Sequence, residues 1–166
     1  MPLEKRLIIW FDELGKEDAS IVGGKIANLG ELMRIGVPVP TGFAVTAYAY
    51  ERFIKETGIA EKIYRILREE IINPQDPTQC EEASRKIRRL IESTPIPPDI
   101  EEAIRDAYRK LSERRGSEVF VAVRSSATAE DLPGASFAGQ QETYLNVRGE
   151  DQVGEKPRRC WSSLFT

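Results

Sequence analysis

Three places in the sequence have residue types suited to holding a phosphate. The first is Gly23-Gly24-Lys25, where glycines allow backbone amides to approach an anion and an apolar run at helical spacing begins. A lysine has the wrong sign for the start of a helix. A bound phosphate would relieve that mismatch, and a solvated surface lysine after a turn explains the same residues. The second place is Arg124, which ends the apolar residues of the Val119 to Ser125 run on the face of Phe120 and Ala122. An arginine ending an apolar strand calls for a carboxylate, with Glu130 and Asp131 the nearest, or for a ligand. The third is the stretch Ser126 to Gln141, with Gly134, Ala135, Ser136, Ala138 and Gly139. Small residues expose backbone amides, so this loop could close over phosphates or be an ordinary connection.

Each of these places needs an element to carry it. Leu7 to Phe11 reads as a short buried strand closed by Asp12 and Gly15. Ile26, Leu29, Leu32 and Met33 then repeat at helical spacing up to Gly36, a fitting helix C-terminal glycine. Val37 to Gly42, with two prolines, cannot be helical. It leads to a strand at Phe43 to Val45, after which Thr46 caps a helix ending near Gly58. Ile59 to Leu111 is predicted largely helical. Asp76 and Pro77 start one helix with an apolar stripe of Cys80, Ala83, Ile87, Leu90 and Ile91. A second stripe, Ile100, Ile104, Ala107, Tyr108 and Leu111, follows the break at Pro95, Pro97 and Pro98. Both stripes read as packing faces with solvated charged backs. Val119 to Ser125 and Glu142 to Val147 are predicted strands flanking the small-residue loop, the second with Thr143, Leu145 and Val147 on one side. The mixture predicts an α+β or α/β domain.

Composition narrows the chemistry further. The 166 residues suit a single domain, and 40% hydrophobic content is enough for a core. With 24 basic and 27 acidic residues the net charge is −3, which gives no general attraction to nucleic acid or to an anionic membrane. Cys80 and Cys160 are too few and too separated for a disulfide framework or a zinc cluster, and are expected to be buried or inert thiols in a reducing compartment. The longest early apolar run is far shorter than a signal-peptide core or a membrane span, so a cytoplasmic location is expected. The sequence contains no histidine. Imidazole as base, metal ligand or phosphoryl acceptor is therefore excluded within these residues.

The string from Phe120 through Val123-Arg124-Ser125-Ser126-Ala127-Thr128-Ala129-Glu130-Asp131-Leu132-Pro133, continued by Ala135-Ser136-Phe137-Ala138-Gly139-Gln140-Gln141-Glu142-Thr143-Tyr144-Leu145-Asn146-Val147, resembles the nucleotide-binding domain of the phosphoenolpyruvate synthase (pyruvate, water dikinase) family. Val22-Gly23-Gly24-Lys25 through Leu29-Gly30-Glu31, and Val37 to Phe43, are similar to the same family in the same order. The resemblance covers essentially the whole chain. It implies an ATP-grasp-type α+β domain with a small, mainly antiparallel sheet and several helices, of which residues 1–166 form the first subdomain. It further implies that Lys25 and Arg124 contact ATP phosphates while the loop with Gly139, Gln140 and Thr143 covers the nucleotide. Ser125 and Ser136 join them as candidate ATP-binding residues.

Family members convert pyruvate, ATP and water to phosphoenolpyruvate, AMP and phosphate through a phosphohistidine, a step of gluconeogenesis. The resemblance thus implies ATP and Mg²⁺ as cofactors, with the magnesium ligands outside this chain. Its partners would be ATP and the remaining domains of a longer enzyme: the second ATP-grasp subdomain, the phosphohistidine domain and the barrel domain. The fragment alone is expected to be inactive. A rifampicin phosphotransferase-like kinase, which shares the module, and a standalone non-catalytic nucleotide-binding remnant are the alternatives. Near its end the sequence departs from the family pattern, because Gly154 and Pro157 interrupt the expected helix. An interior proline costs about 3 kcal/mol or more, so the helix is expected to begin only at Pro157, leaving the packing of Trp161, Leu164 and Phe165 open.

Overall fold

The computed structural model describes residues 2–124, 143–163 and 165. Seven α-helices and four strands are present among them, with 3₁₀ turns at Leu3–Lys5, Phe11–Glu13 and Lys16–Asp18. The order is β1 (Ile8–Trp10), α1 (Ala19–Val22), α2 (Gly24–Arg34), β2 (Phe43–Val45), α3 (Ala47–Glu56), α4 (Ile59–Glu70), α5 (Pro77–Ser93), α6 (Pro98–Arg115), β3 (Val121–Arg124), β4 (Thr143–Val147) and α7 (Glu150–Ser162). The α+β expectation is met, although among the described residues two small sheets stand where one was expected. Antiparallel β1–β2 pairs Ile9 with Ala44, and antiparallel β3–β4 pairs Arg124 with Thr143.

Local rules account for most of the boundaries. Thr46 accepts a hydrogen bond from the Ala49 amide at 3.2 Å and donates one to the Arg6 carbonyl at 2.5 Å, so one buried hydroxyl starts α3 and ties it to the segment before β1. Asp76 caps α5 through the Thr78 amide at 2.9 Å, with Pro77 in the first turn. Gly23, at φ 84°, turns the chain sharply between α1 and α2, and Gly36, at φ 91°, follows the last turn of α2. The short α1 was not foreseen from the sequence.

Both apolar stripes pack as their spacing implies. Ile87 and Ile91 of α5 meet Ile100, Ile104 and Tyr108 of α6 in a core completed by Phe53, Val147, Val153 and Trp161. Cys80 and Leu90, at the stripe's edge, are only half-buried. A second cluster, Ile9, Leu14, Val22, Ala27 and Ala44, lies under β1 and β2. Cys160 is buried, Cys80 is half-buried, and neither is in a disulfide. Among the described residues no helix is long and apolar enough to cross a membrane.

Two expectations are corrected. Helix α7 does not begin at Pro157 but runs through it from Glu150. Pro157 lies on the buried stripe with Val153, Cys160 and Trp161, and Trp161 stacks on Phe53 at 5.1 Å between ring centroids. Burial of Trp161 and Val153 contributes roughly 1.5–3 kcal/mol each, enough to offset the about 3 kcal/mol an interior proline costs. In β4, Thr143 and Leu145 are exposed whereas Val147 is buried, so the three do not share a side. Two steps along β3, from Val121 to Val123, span three along β4, from Val147 to Tyr144, and Asn146 takes φ 56°. This is a bulge, and the extra residue reverses the alternation beyond it.

Candidate functional site

The two sheets face one another across an open cleft of about 820 Å³. One wall is the segment from Pro40 through β2. The other is Ser117 through Arg124, backed by Tyr108, Val153 and Trp161. The floor is largely apolar, and the charged groups, Arg115, Glu118 and Arg124, gather along the β3 wall. Val22 and Ile26, on either side of Lys25 in the chain, also line the cleft. Gly42 forms part of the wall, and since a Cβ there would come within 2.6 Å of the Phe11 ring, a larger residue would require that ring to shift.

Arg124 is the last residue of β3, and its Cα partner across the ladder is Thr143, the first residue of β4. The two side chains are therefore neighbours on one face, at the end of the hairpin from which residues 125–142 depart. Phe120 is 64% exposed and Ala122 and Arg124 are exposed too, because Val119, Val121 and Val123 take the core-facing positions. The reason given by the sequence for a partner to Arg124, burial on an apolar face, is thus corrected: its strand face is open. Among the described residues no carboxylate pairs with it, while Glu130 and Asp131 lie outside the described residues. Ser125, Ser136, Gly139 and Gln140, with the whole Ser126 to Gln141 loop, also lie outside them.

Lys25 is exposed at the second residue of α2. The helix reaches this position by an unusually close approach, in which a Cβ on Gly30 would lie 2.6 Å from the Leu14 Cβ. The structure thus brings Arg124 and Thr143 together and sets Lys25 on the helix whose start borders the same cleft.

Sequence reasoning missed two residues. Tyr108, taken for packing alone, is 1% exposed, and its hydroxyl donates to the Val119 carbonyl at 2.7 Å and accepts from the Gly149 amide at 2.9 Å. A tyrosine on a buried stripe needs such a partner, which was the available signal. Arg148 lies 5.2 Å over the Phe120 ring and pairs with Glu118 at 3.4 Å, closing the outer edge of β3. Tyr50, on the cleft floor, has its hydroxyl pKa pushed up to about 12 by burial, with the nearby Tyr64 adding to the effect. Farther away, hydrogen bonds from Arg6 hold the Glu13 carboxyl below its ordinary range. The described residues contain no cluster of three or more histidine, cysteine or acidic side chains able to hold a metal ion. Glu118 is the one carboxylate among the described cleft residues, and it is engaged by Arg148, so these residues do not fit a magnesium site.

A helix entered through glycines and an arginine-bearing hairpin border the same open cleft. Residues 19–166 match the family described as the pyruvate phosphate dikinase AMP/ATP-binding domain, and the chain belongs to that family. It is similar to a probable phosphoenolpyruvate synthase of Staphylothermus marinus, 57% identical over 169 residues, covering 100% of this chain and 20% of that protein. A probable phosphoenolpyruvate synthase of Archaeoglobus fulgidus is 60% identical over 159 residues, covering 96% of the chain and 21% of its own length. The phosphoenolpyruvate synthase of Aeropyrum pernix is 56% identical over 165 residues, covering 99% and 20%. The chain thus spans about a fifth of the length of these curated relatives.

Proposed function

We propose that residues 1–166 are the first subdomain of an ATP-grasp-type nucleotide-binding domain and supply one half of the ATP site of a cytoplasmic phosphoenolpyruvate synthase. The observation that carries this reading is the pairing of Arg124 with Thr143 at the cleft wall, in a chain of the AMP/ATP-binding family. Arg124 would hold a phosphate bidentately, an arrangement that a planar guanidinium suits. Lys25 would meet the phosphates from the start of α2. Thr143 would stand beside Arg124, and Ser125, Ser136, Gly139 and Gln140 would act from the connecting loop. The apolar floor would take the base.

The rest of the reaction belongs outside these residues. With no histidine, the chain offers no acceptor for a phosphohistidine step. Magnesium, when bound, would neutralise charge on the polyphosphate, and its ligands would come from the second subdomain, because the carboxylate supply at the described cleft is too small.

The test is Arg124→Ala in the full-length enzyme, with ATP affinity and thermal stability both measured. Charge-assisted hydrogen bonds contribute about 1.5–3 kcal/mol, so affinity should fall roughly tenfold to a hundredfold, with Arg124→Lys restoring only part. Unchanged affinity with a lowered melting temperature would show that Arg124 is a structural ion-pair residue and defeat the proposal.

A further inference from the structure

We infer that Tyr108 is a positioning residue for the phosphate end of the cleft, acting by clamping the two ends of the β3–β4 hairpin through a single buried hydroxyl. The inference rests on the proposed role of Arg124 for its functional meaning, while its geometric part stands alone. Val119, whose carbonyl accepts from Tyr108, lies two residues before β3. Gly149, whose amide donates to the same oxygen, lies two residues after β4. Since Val121 pairs with Val147, continuing that register outward brings Val119 opposite Gly149. The hydroxyl therefore occupies the rung that the ladder would reach next.

That position matters because the hairpin holds two registers. On the core side of the bulge Val121 faces Val147, and on the cleft side Val123 faces Tyr144 and Arg124 faces Thr143, offset by one residue. If the core-side register slipped by one to match the other, the bulge would vanish and Val147, now buried, would turn to the open face. Tyr108, fixed on α6 among Ile100, Ile104 and Trp161, pins the core-side register. The bulge must then fall between Val121 and Val123, and Arg124 is delivered beside Thr143. A side chain 1% exposed thus governs the placement of an exposed arginine without touching it.

The experiment is amide hydrogen exchange by NMR on the 166-residue protein, with Tyr108→Phe and, as a control for general loosening of the shared core, Ile87→Val, a truncation on α5 that leaves the Tyr108 hydroxyl in place. Both variants are studied where circular dichroism shows them folded. Exchange at Val121, Val123 and Tyr144 should accelerate at least tenfold in Tyr108→Phe and stay unchanged in Ile87→Val. The shift of the Arg124 side-chain N–H on adding ATP should shrink only in the tyrosine variant. Unchanged hairpin exchange in Tyr108→Phe, or equal acceleration in Ile87→Val, overturns the clamp. An accelerated hairpin with an undiminished ATP shift at Arg124 overturns the positioning role. Should Tyr108→Phe not fold, the unaltered protein decides: the Gly149 amide should exchange at least tenfold more slowly than that of Glu150, and equal rates overturn the clamp. The exchange measurements need no nucleotide, so they are independent of whether Arg124→Ala affects ATP affinity; an unaffected affinity would refute the phosphate reading alone.

Discussion

Replacing glycine by alanine should have opposite effects at Gly30 and Gly154, both of which lie inside helices. In a helix interior alanine is favoured over glycine by about 1 kcal/mol, which is the whole expected effect where the new methyl group has room. At Gly154 it has room: the nearest atom to the added Cβ is the Arg105 Nε at 3.4 Å, on a side chain that can adjust. At Gly30 the Cβ would lie 2.6 Å from the Leu14 Cβ and 2.7 Å from the Leu14 carbonyl oxygen, against about 3.5–4.0 Å for an unstrained carbon contact. Neither atom can rotate away, since one is main chain and the other is fixed to it, so α2 must shift by roughly 1 Å from a fully packed neighbour. Overpacking of this kind costs about 1–3 kcal/mol, and the rigidity of the contact puts Gly30 at the upper end. Subtracting the helix preference leaves a net loss of roughly 2 kcal/mol for Gly30→Ala and a gain of about 1 kcal/mol for Gly154→Ala. For a chain of this size that is a fall of about 4–8 °C in melting temperature and a rise of about 2–4 °C. Thermal unfolding by circular dichroism measures both, and a Gly30→Ala protein as stable as the parent would refute the close-approach argument.

Two further outcomes follow from the cleft. The raised pKa of Tyr50, about 12, means that the unfolded chain loses this proton first as pH rises, so its contribution to stability is complete below about pH 10 and falls away towards pH 12. The urea midpoint of the parent should therefore decline relative to that of Tyr50→Phe between about pH 10 and 12, and parallel curves would contradict it. The 166-residue chain alone should consume no ATP with magnesium and pyruvate, and should bind ATP with a dissociation constant near or above about 1 mM, or about 4 kcal/mol. Turnover to AMP, or micromolar binding by calorimetry, would refute the half-site reading.

What could be read from the sequence was what neighbouring residues decide among themselves. Thr46, the Asp76-Pro77 pair and the Ile100 to Leu111 stripe each announce a cap or a buried face within one or two turns, and each appears where expected. The features missed depend on partners distant in sequence. Helix α7 passes through Pro157 because Phe53, about a hundred residues earlier, receives Trp161. The bulge at Asn146 exists because Val147 has a place in the α5–α6 core, which period-two alternation cannot register. Of the candidate site, Arg124 was singled out by its place on β3 and Thr143 by family resemblance, and the two are adjacent. The burial that first drew attention to Arg124 was mistaken, since alternation along β3 shows which residues share a face but not which face is covered.

The cleft also has a mechanical property that follows from its walls belonging to different sheets. Among the described residues no strand of β1–β2 shares a hydrogen-bond ladder with β3–β4, so no row of main-chain bonds spans the opening. The gap is held by side chains, including Arg114 stacked 4.1 Å over the Trp10 ring between the end of α6 and β1. Its width can therefore respond to a ligand by exchanging weak, individually replaceable contacts while both ladders stay intact. A single continuous sheet would make the same adjustment only by breaking its own rungs.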